Sequence, residues 1–144
     1  MDLCTGGELF QRIVETGMFM EGLSHLVTRH LTIYFYVDDA IQIIKTVTNA
    51  VNYLHGMQVV HRDIKPENLL YKDDSRDSPL LIADFGFAKY LDPGQDGMLK
   101  SHCGTLGYMA PEMVLKTGHG KAVDMWAIGV IAFFLYLLIF TLTL

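Results

Sequence analysis

Cysteine is scarce in this chain: among 144 residues only Cys4 and Cys103 carry a thiol. They form no disulfide framework, no CxxC pair and no zinc-ligand spacing, so a reducing compartment is the expected setting. An excess of basic charge is also missing. Eleven Lys and Arg stand against sixteen Asp and Glu, a formal charge of −5, which gives no general attraction to nucleic acid and favours basic partners. The opening Met-Asp-Leu-Cys-Thr-Gly-Gly-Glu puts an acid where a secretory leader carries basic residues, and no apolar run follows, so no leader is expected at this end. No internal repeat is visible. From Met125 to Leu144 charge is absent altogether. Twenty such residues in a helix reach about 30 Å, enough to cross a bilayer.

What is present points to one domain with a sizeable core. Apolar residues make up 51% of the chain, which argues against disorder. Leu9, Phe10, Ile13 and Val14 line one side of a short helix that is expected to stop near Gly17. Asp38 or Asp39 can cap a second helix. Its apolar face runs Ala40, Ile43, Ile44, Val47, Ala50, Val51 and Leu54, helical spacing held over four turns, with Gly56 as the stop. Val59–Val60, Leu69–Tyr71 and Leu80–Ala83 read as short strands. A polar loop, 73–79, separates the last two. Residues 87–109 read as a long ordered loop of the kind that usually carries function. Pro111 suits the first turn of a short helix, and a final helix, apolar nearly all round, begins near Lys121.

The densest chemistry lies in His61-Arg62-Asp63-Ile64-Lys65-Pro66-Glu67-Asn68, set between two strands and hence on a tight loop. Asp84-Phe85-Gly86 and Ala110-Pro111-Glu112 follow. Taken singly, an Asp in a loop is a turn residue and an Asn a cap. Three such strings in this order are a poor product of chance, and they resemble the signature set of protein kinases. Gly-Gly-Glu-Leu-Phe (residues 6–10) and Asp-Phe-Gly-Phe-Ala-Lys (84–89) narrow the likeness to the calcium/calmodulin-dependent protein kinase group. It covers residues 1–17 and roughly 35–135.

The resemblance implies a serine/threonine kinase that moves the γ-phosphoryl of ATP to protein hydroxyls, with Mg²⁺ as cofactor. Phosphoryl transfer asks a protein mainly for positioning and charge stabilisation. By resemblance Asp63 accepts or orients the incoming hydroxyl, and Lys65 neutralises the moving phosphoryl group. Lysine at this place is similar to serine/threonine rather than tyrosine kinases. Thr105 would bond to both and shape the substrate groove. Asn68 and Asp84 offer hard oxygen ligands of the kind Mg²⁺ prefers. Leu70 would lie under the adenine. Glu8 would contact either the ATP ribose or a substrate arginine, and Glu67 matches a substrate-arginine acid, so the implied substrates are proteins with basic residues near Ser or Thr. His61 and Phe85 would stack to hold the loop, and Asp124 would bond the backbone of the His61–Arg62 turn. Arg62 would pair with a phosphate on the activation segment. Ser101 is the candidate acceptor from an upstream kinase, set against an unmodified loop hydroxyl. Leu106 stands where similar kinases carry proline.

Parts of the family pattern are not found in these residues. The Gly-rich phosphate loop, the strand lysine and the helix glutamate of the small lobe have no match, nor have the arginine that pairs Glu112 and a calmodulin-binding segment. Residues 18–34 have no family counterpart. Gly17-Met18-Phe19 can be encoded by bases containing GTATGT, a splice-donor sequence, so a translated intron accounts for the stretch, with a surface insertion as the alternative. After about Leu135 the likeness ends, leaving a divergent apolar tail, 136–144. The expected architecture is therefore mainly α with short β-strands, an incomplete C-terminal lobe of a kinase-like α+β fold. The isolated chain is expected to be weak or inactive. The alternatives are a non-catalytic fragment or one anchored in a membrane through 125–144. The kinase match inside 125–135 favours a buried core helix and a cytoplasmic setting.

Overall fold

From Leu26 to His55 the sequence contains neither glycine nor proline, so nothing interrupts a helix once it has started. In the computed structural model, which describes residues 4–20, 26–92, 98–101 and 103–143, helix α2 fills this whole stretch, Leu26–Gly56. The expected start at Asp38 or Asp39 is therefore wrong: both lie inside the helix with exposed side chains. The stop at Gly56 is where the spacing put it. Helix α1, Leu9–Met20, likewise runs through Gly17. A lone helical glycine costs only about 1 kcal/mol, and three residues that tolerate helix follow it. Of segment 18–34, residues 18–20 end α1 and 26–34 open α2, so its described backbone is helical rather than loop.

The strands form two antiparallel pairs. Strands β2 (Leu69–Tyr71) and β3 (Leu80–Ile82) pair Leu69 with Ile82 and Tyr71 with Leu80. Strands β1 (Val59–Val60) and β4 (Lys89–Tyr90) pair Val59 with Tyr90. The expected loop at 87–109 thus holds a strand, and it also holds a 3-10 turn at Leu106–Tyr108. Helix α3, Pro111–Val114, opens on its proline, whose fixed φ suits a first helical turn. Helix α4 covers Ala122–Thr143.

The main core lies where α2, α4 and the β2–β3 pair meet. Ile43, Val47 and Val51 from α2 pack with Ala127, Ile128, Ile131 and Leu135 from α4, and Leu9, Ile64 and Leu69 close the cluster. A smaller cluster of Val60, Leu91, Leu99, Ala110, Met113 and Val123 sits beneath the 98–114 segment.

Residues 5–8 run along β2. Thr5 and Gly6 donate to the carbonyls of Lys72 and Tyr71, and Tyr71 N–H donates to Gly7 O at 3.0 Å. Gly6 is required here, because a Cβ would stand 2.1 Å from the Asp73 carbonyl oxygen. Arg12 of α1 locks the same corner, donating to the carbonyls of Asp73 and Ser75 and lying 4.3 Å over the Tyr71 ring.

Candidate active site

The loop after β1 bends because Arg62 adopts a left-handed φ of 70°, a conformation that a residue with a Cβ takes only under constraint. The constraint is Asp124, at the start of α4 and 1% exposed. Its Oδ2 accepts from His61 N–H at 2.9 Å and its Oδ1 from Arg62 N–H at 2.8 Å. His61 is fully buried. Its Nε2 faces the Ala83 carbonyl at 3.2 Å, and Asp63 N–H points to its Nδ1 at 3.4 Å. A carbonyl only accepts, so the fitting form is the neutral ring with its proton on Nε2. Burial pushes the pKa of His61 below its ordinary value, against the pull of Asp124, Asp63 and Asp84. Phe85 meets His61 edge to face, 4.9 Å between centroids.

The bend delivers Asp63 into a compact polar cluster. Its Oδ1 accepts from the Thr105 hydroxyl at 2.9 Å, and its Oδ2 lies 3.2 Å from Lys65 Nζ. Lys65 also donates to Thr105 Oγ1 at 2.9 Å. Asn68, in the turn that leads into β2, donates its amide nitrogen to the Asp63 carbonyl at 2.8 Å and to Oδ2 at 3.2 Å. Asp63, Lys65, Asn68 and Thr105 thus share one site, with Asp63 at its centre and 4% exposed.

Asp84 stands at the neighbouring strand end, since Ala83 N–H donates to Asn68 O at 2.8 Å. Its own backbone is left-handed, φ 56°, and its carboxylate caps Gly86 N–H at 3.1 Å. It is exposed, and no hydrogen bond joins it to the Asn68 side chain among the described residues. The donor chemistry still fits Mg²⁺. Commitment of the Asn68 nitrogen to Asp63 leaves its carbonyl oxygen as the ligand atom, and Asp84 adds a carboxylate. Among the described residues no three His, Cys, Asp or Glu form a metal cluster, and Mg²⁺ characteristically binds through one or two carboxylates plus substrate phosphates and water.

Arg62 reaches away from this cluster, donating Nε to Phe87 O at 2.8 Å and Nη1 to Ser101 Oγ at 2.5 Å. Glu8 bridges to Leu70 through the backbone. Glu8 and Glu67 are both exposed, Leu70 is half-buried, and Leu106 is exposed. The Glu67 charge adds to burial in raising the Tyr108 phenol. Glu112 is half-buried in α3. Sequence reasoning missed His55, whose Nε2 lies 2.8 Å from Asp124 Oδ2. The available signal was a basic residue in the last turn of α2, where the helix dipole favours one.

Residues 1–141 match the protein kinase domain. The chain belongs to the protein kinase family. Among relatives of this chain, the calcium/calmodulin-dependent protein kinase type I of Schizosaccharomyces pombe is 49% identical over 134 residues, which cover 93% of this chain and 35% of the relative. The calcium/calmodulin-dependent protein kinase cmkA of Emericella nidulans is 51% identical over 131 residues, 91% of this chain and 28% of the relative. Myosin light chain kinase A of Dictyostelium discoideum is 44% identical over 135 residues, 94% of this chain and 40% of the relative. The chain thus groups with the calcium/calmodulin-dependent serine/threonine kinases and holds part of their domain, with a helix-rich α+β fold of few short strands. The chain spans about a third of the length of the curated relatives it matches.

Proposed function

We propose that the cluster around Asp63 transfers the γ-phosphoryl of ATP to a serine or threonine hydroxyl of a protein. The observation that carries this reading is the meeting of Asp63, Lys65 and Thr105 within 3.2 Å of one another. Asp63 orients the incoming hydroxyl and takes up its proton as the new O–P bond forms and ADP leaves. Lys65 faces the phosphoryl charge from the same side, and Thr105 fixes both side chains. Asn68 and Asp84 would hold Mg²⁺, which when bound neutralises charge on the phosphates. Glu8 and Leu70 would border the nucleotide, with Glu8 and Glu67 open to an arginine of the substrate. Arg62 would receive a phosphate on Ser101, placed there by an upstream kinase.

By itself the 144-residue chain contains no Gly-rich phosphate loop and no small-lobe lysine, and it transfers phosphoryl weakly or not at all. Fusion of a relative's small lobe ahead of residue 1 restores transfer from labelled ATP to an Arg-containing serine peptide, and Asp63→Asn abolishes it. Transfer by the fusion that Asp63→Asn leaves intact would overturn the assignment, and robust transfer by the unfused chain would overturn the inactivity. Residues 18–34 are read as text foreign to the catalytic domain, which transcript sequence across that junction decides.

The proposed setting is the cytoplasm, with α4 as a core helix. A second reading has its own support: Ala122–Thr141 is long and apolar enough to cross a membrane and is 33% buried, which fits a membrane-anchored or non-catalytic fragment.

A further inference from the structure

We infer that the groove between α2 and α4 binds a medium-chain fatty acid, with its carboxylate on Lys45 and its hydrocarbon chain laid along the apolar walls. The groove shares no residue with the Asp63 cluster, so this inference stands apart from the kinase reading.

The two helices run antiparallel, since His55 in the last turn of α2 meets Asp124 at the start of α4. That pairing sets Lys45 level with Ala132 at one end of the groove and Val37 level with Phe140 at the other. From Val37 to Lys45 the helix rises about 12 Å. Ile41, Ile44, Leu135 and Ile139 wall the space between, and Lys45 alone among the described lining residues carries charge. The groove encloses about 650 Å³, a size usual for small-molecule sites.

A cation at one end with an apolar run beyond it complements a molecule that has an anionic head and a hydrocarbon tail. One ammonium balances one negative charge, which fits a monocarboxylate better than a doubly charged phosphate. The ammonium is available, because the ion pairs among the described residues do not involve Lys45. Asp38 and Asp39 follow Val37 at the opposite end and are exposed, so an anionic head is disfavoured there and drawn toward Lys45. Each methylene taken from water along the walls strengthens binding.

The test titrates the 144-residue chain with dodecanoate below its micelle concentration, using equilibrium dialysis and methyl NMR. Binding saturates at one to one. Methyl signals of Ile44, Leu135 and Ile139 shift, and those of Val60 and Val123 in the smaller core do not. Lys45 is exposed, so substitutions there keep the fold. Lys45→Met retains an apolar stem and weakens dodecanoate binding about tenfold or more, whereas Lys45→Arg retains it. Dodecanol, the same chain without the charge, binds more weakly than dodecanoate and does not distinguish the wild type from Lys45→Met. Equal binding of dodecanol and dodecanoate to the wild type would overturn the inference, as would full affinity in Lys45→Met or uptake that never saturates. Two further results would overturn it by naming another occupant. A dimer that takes up no dodecanoate would assign the groove to a second copy of the chain. Adsorption to phosphatidylcholine vesicles without binding of free dodecanoate would assign it to a membrane.

Discussion

His61 shows how a single side chain can set a pH limit on the loop that presents Asp63. Both ring nitrogens are engaged in the neutral form, and a second proton on Nδ1 would point at the N–H of Asp63. Its pKa in the fold lies below the ordinary 6.5, burial being the main cause. The unfolded chain therefore binds a proton more readily than the folded one. The stabilisation is complete above the unfolded value and is lost as pH falls below 6.5 toward the folded value. Denaturant titrations across this range should show stability falling with pH, with at most about 1.4 kcal/mol per pH unit from this ring. His61→Gln should remove that share of the slope, and an unchanged slope would count against it. The identity of His61 was legible in its motif. Its tautomer was not, because that depends on Ala83, a carbonyl 22 residues downstream that no side-chain pattern reports.

At the scale of elements, α4 shows what an all-apolar sequence hides. Periodicity marks the inner face of α2, where polar residues alternate with Ile43, Val47 and Val51. In α4 every face is apolar, so the sequence cannot say which one meets α2. The structure selects Ala127, Ile128, Ile131 and Leu135, and it leaves Phe133, Phe134 and Tyr136 exposed. Ile131→Ala should then cost about 2–5 kcal/mol in chemical denaturation, whereas Phe133→Ala should stay within about 0.5 kcal/mol. Equal losses would mean that α4 is rotated from the described orientation. The expected start of α2 failed for a related reason. Asp38 and Asp39 look like caps only if the chain before them is not helical, and residues 26–37 offer no glycine or proline to stop it.

For the molecule as a whole, the outer side of α4 and its junction with α2 form one apolar surface. A groove of about 650 Å³ opens between them, walled by Val37, Ile41, Ile44, Leu135, Tyr136 and Phe140, with Lys45 as its charged member. Surfaces of this kind associate in water. The chain alone should self-associate in sedimentation velocity, and Phe133→Glu combined with Phe140→Glu should shift it toward monomer. Cell-fraction pelleting that survives alkaline carbonate would place α4 in a membrane instead. The short strings around Asp63, Asp84 and Pro111 were readable because each is contiguous. The link from His55 to Asp124 spans 69 residues and was not.

That span also dictates an order of events. The carboxylate that shapes the Arg62 turn is encoded 62 residues after it, and joining them carries the entropy of closing a long loop. While the polypeptide is still leaving the ribosome, the segment bearing Asp63 emerges ahead of the carboxylate to which the N–H groups of His61 and Arg62 donate. The hydrogen bonds that hold the Arg62 turn can therefore form only once the first turn of α4 has been made.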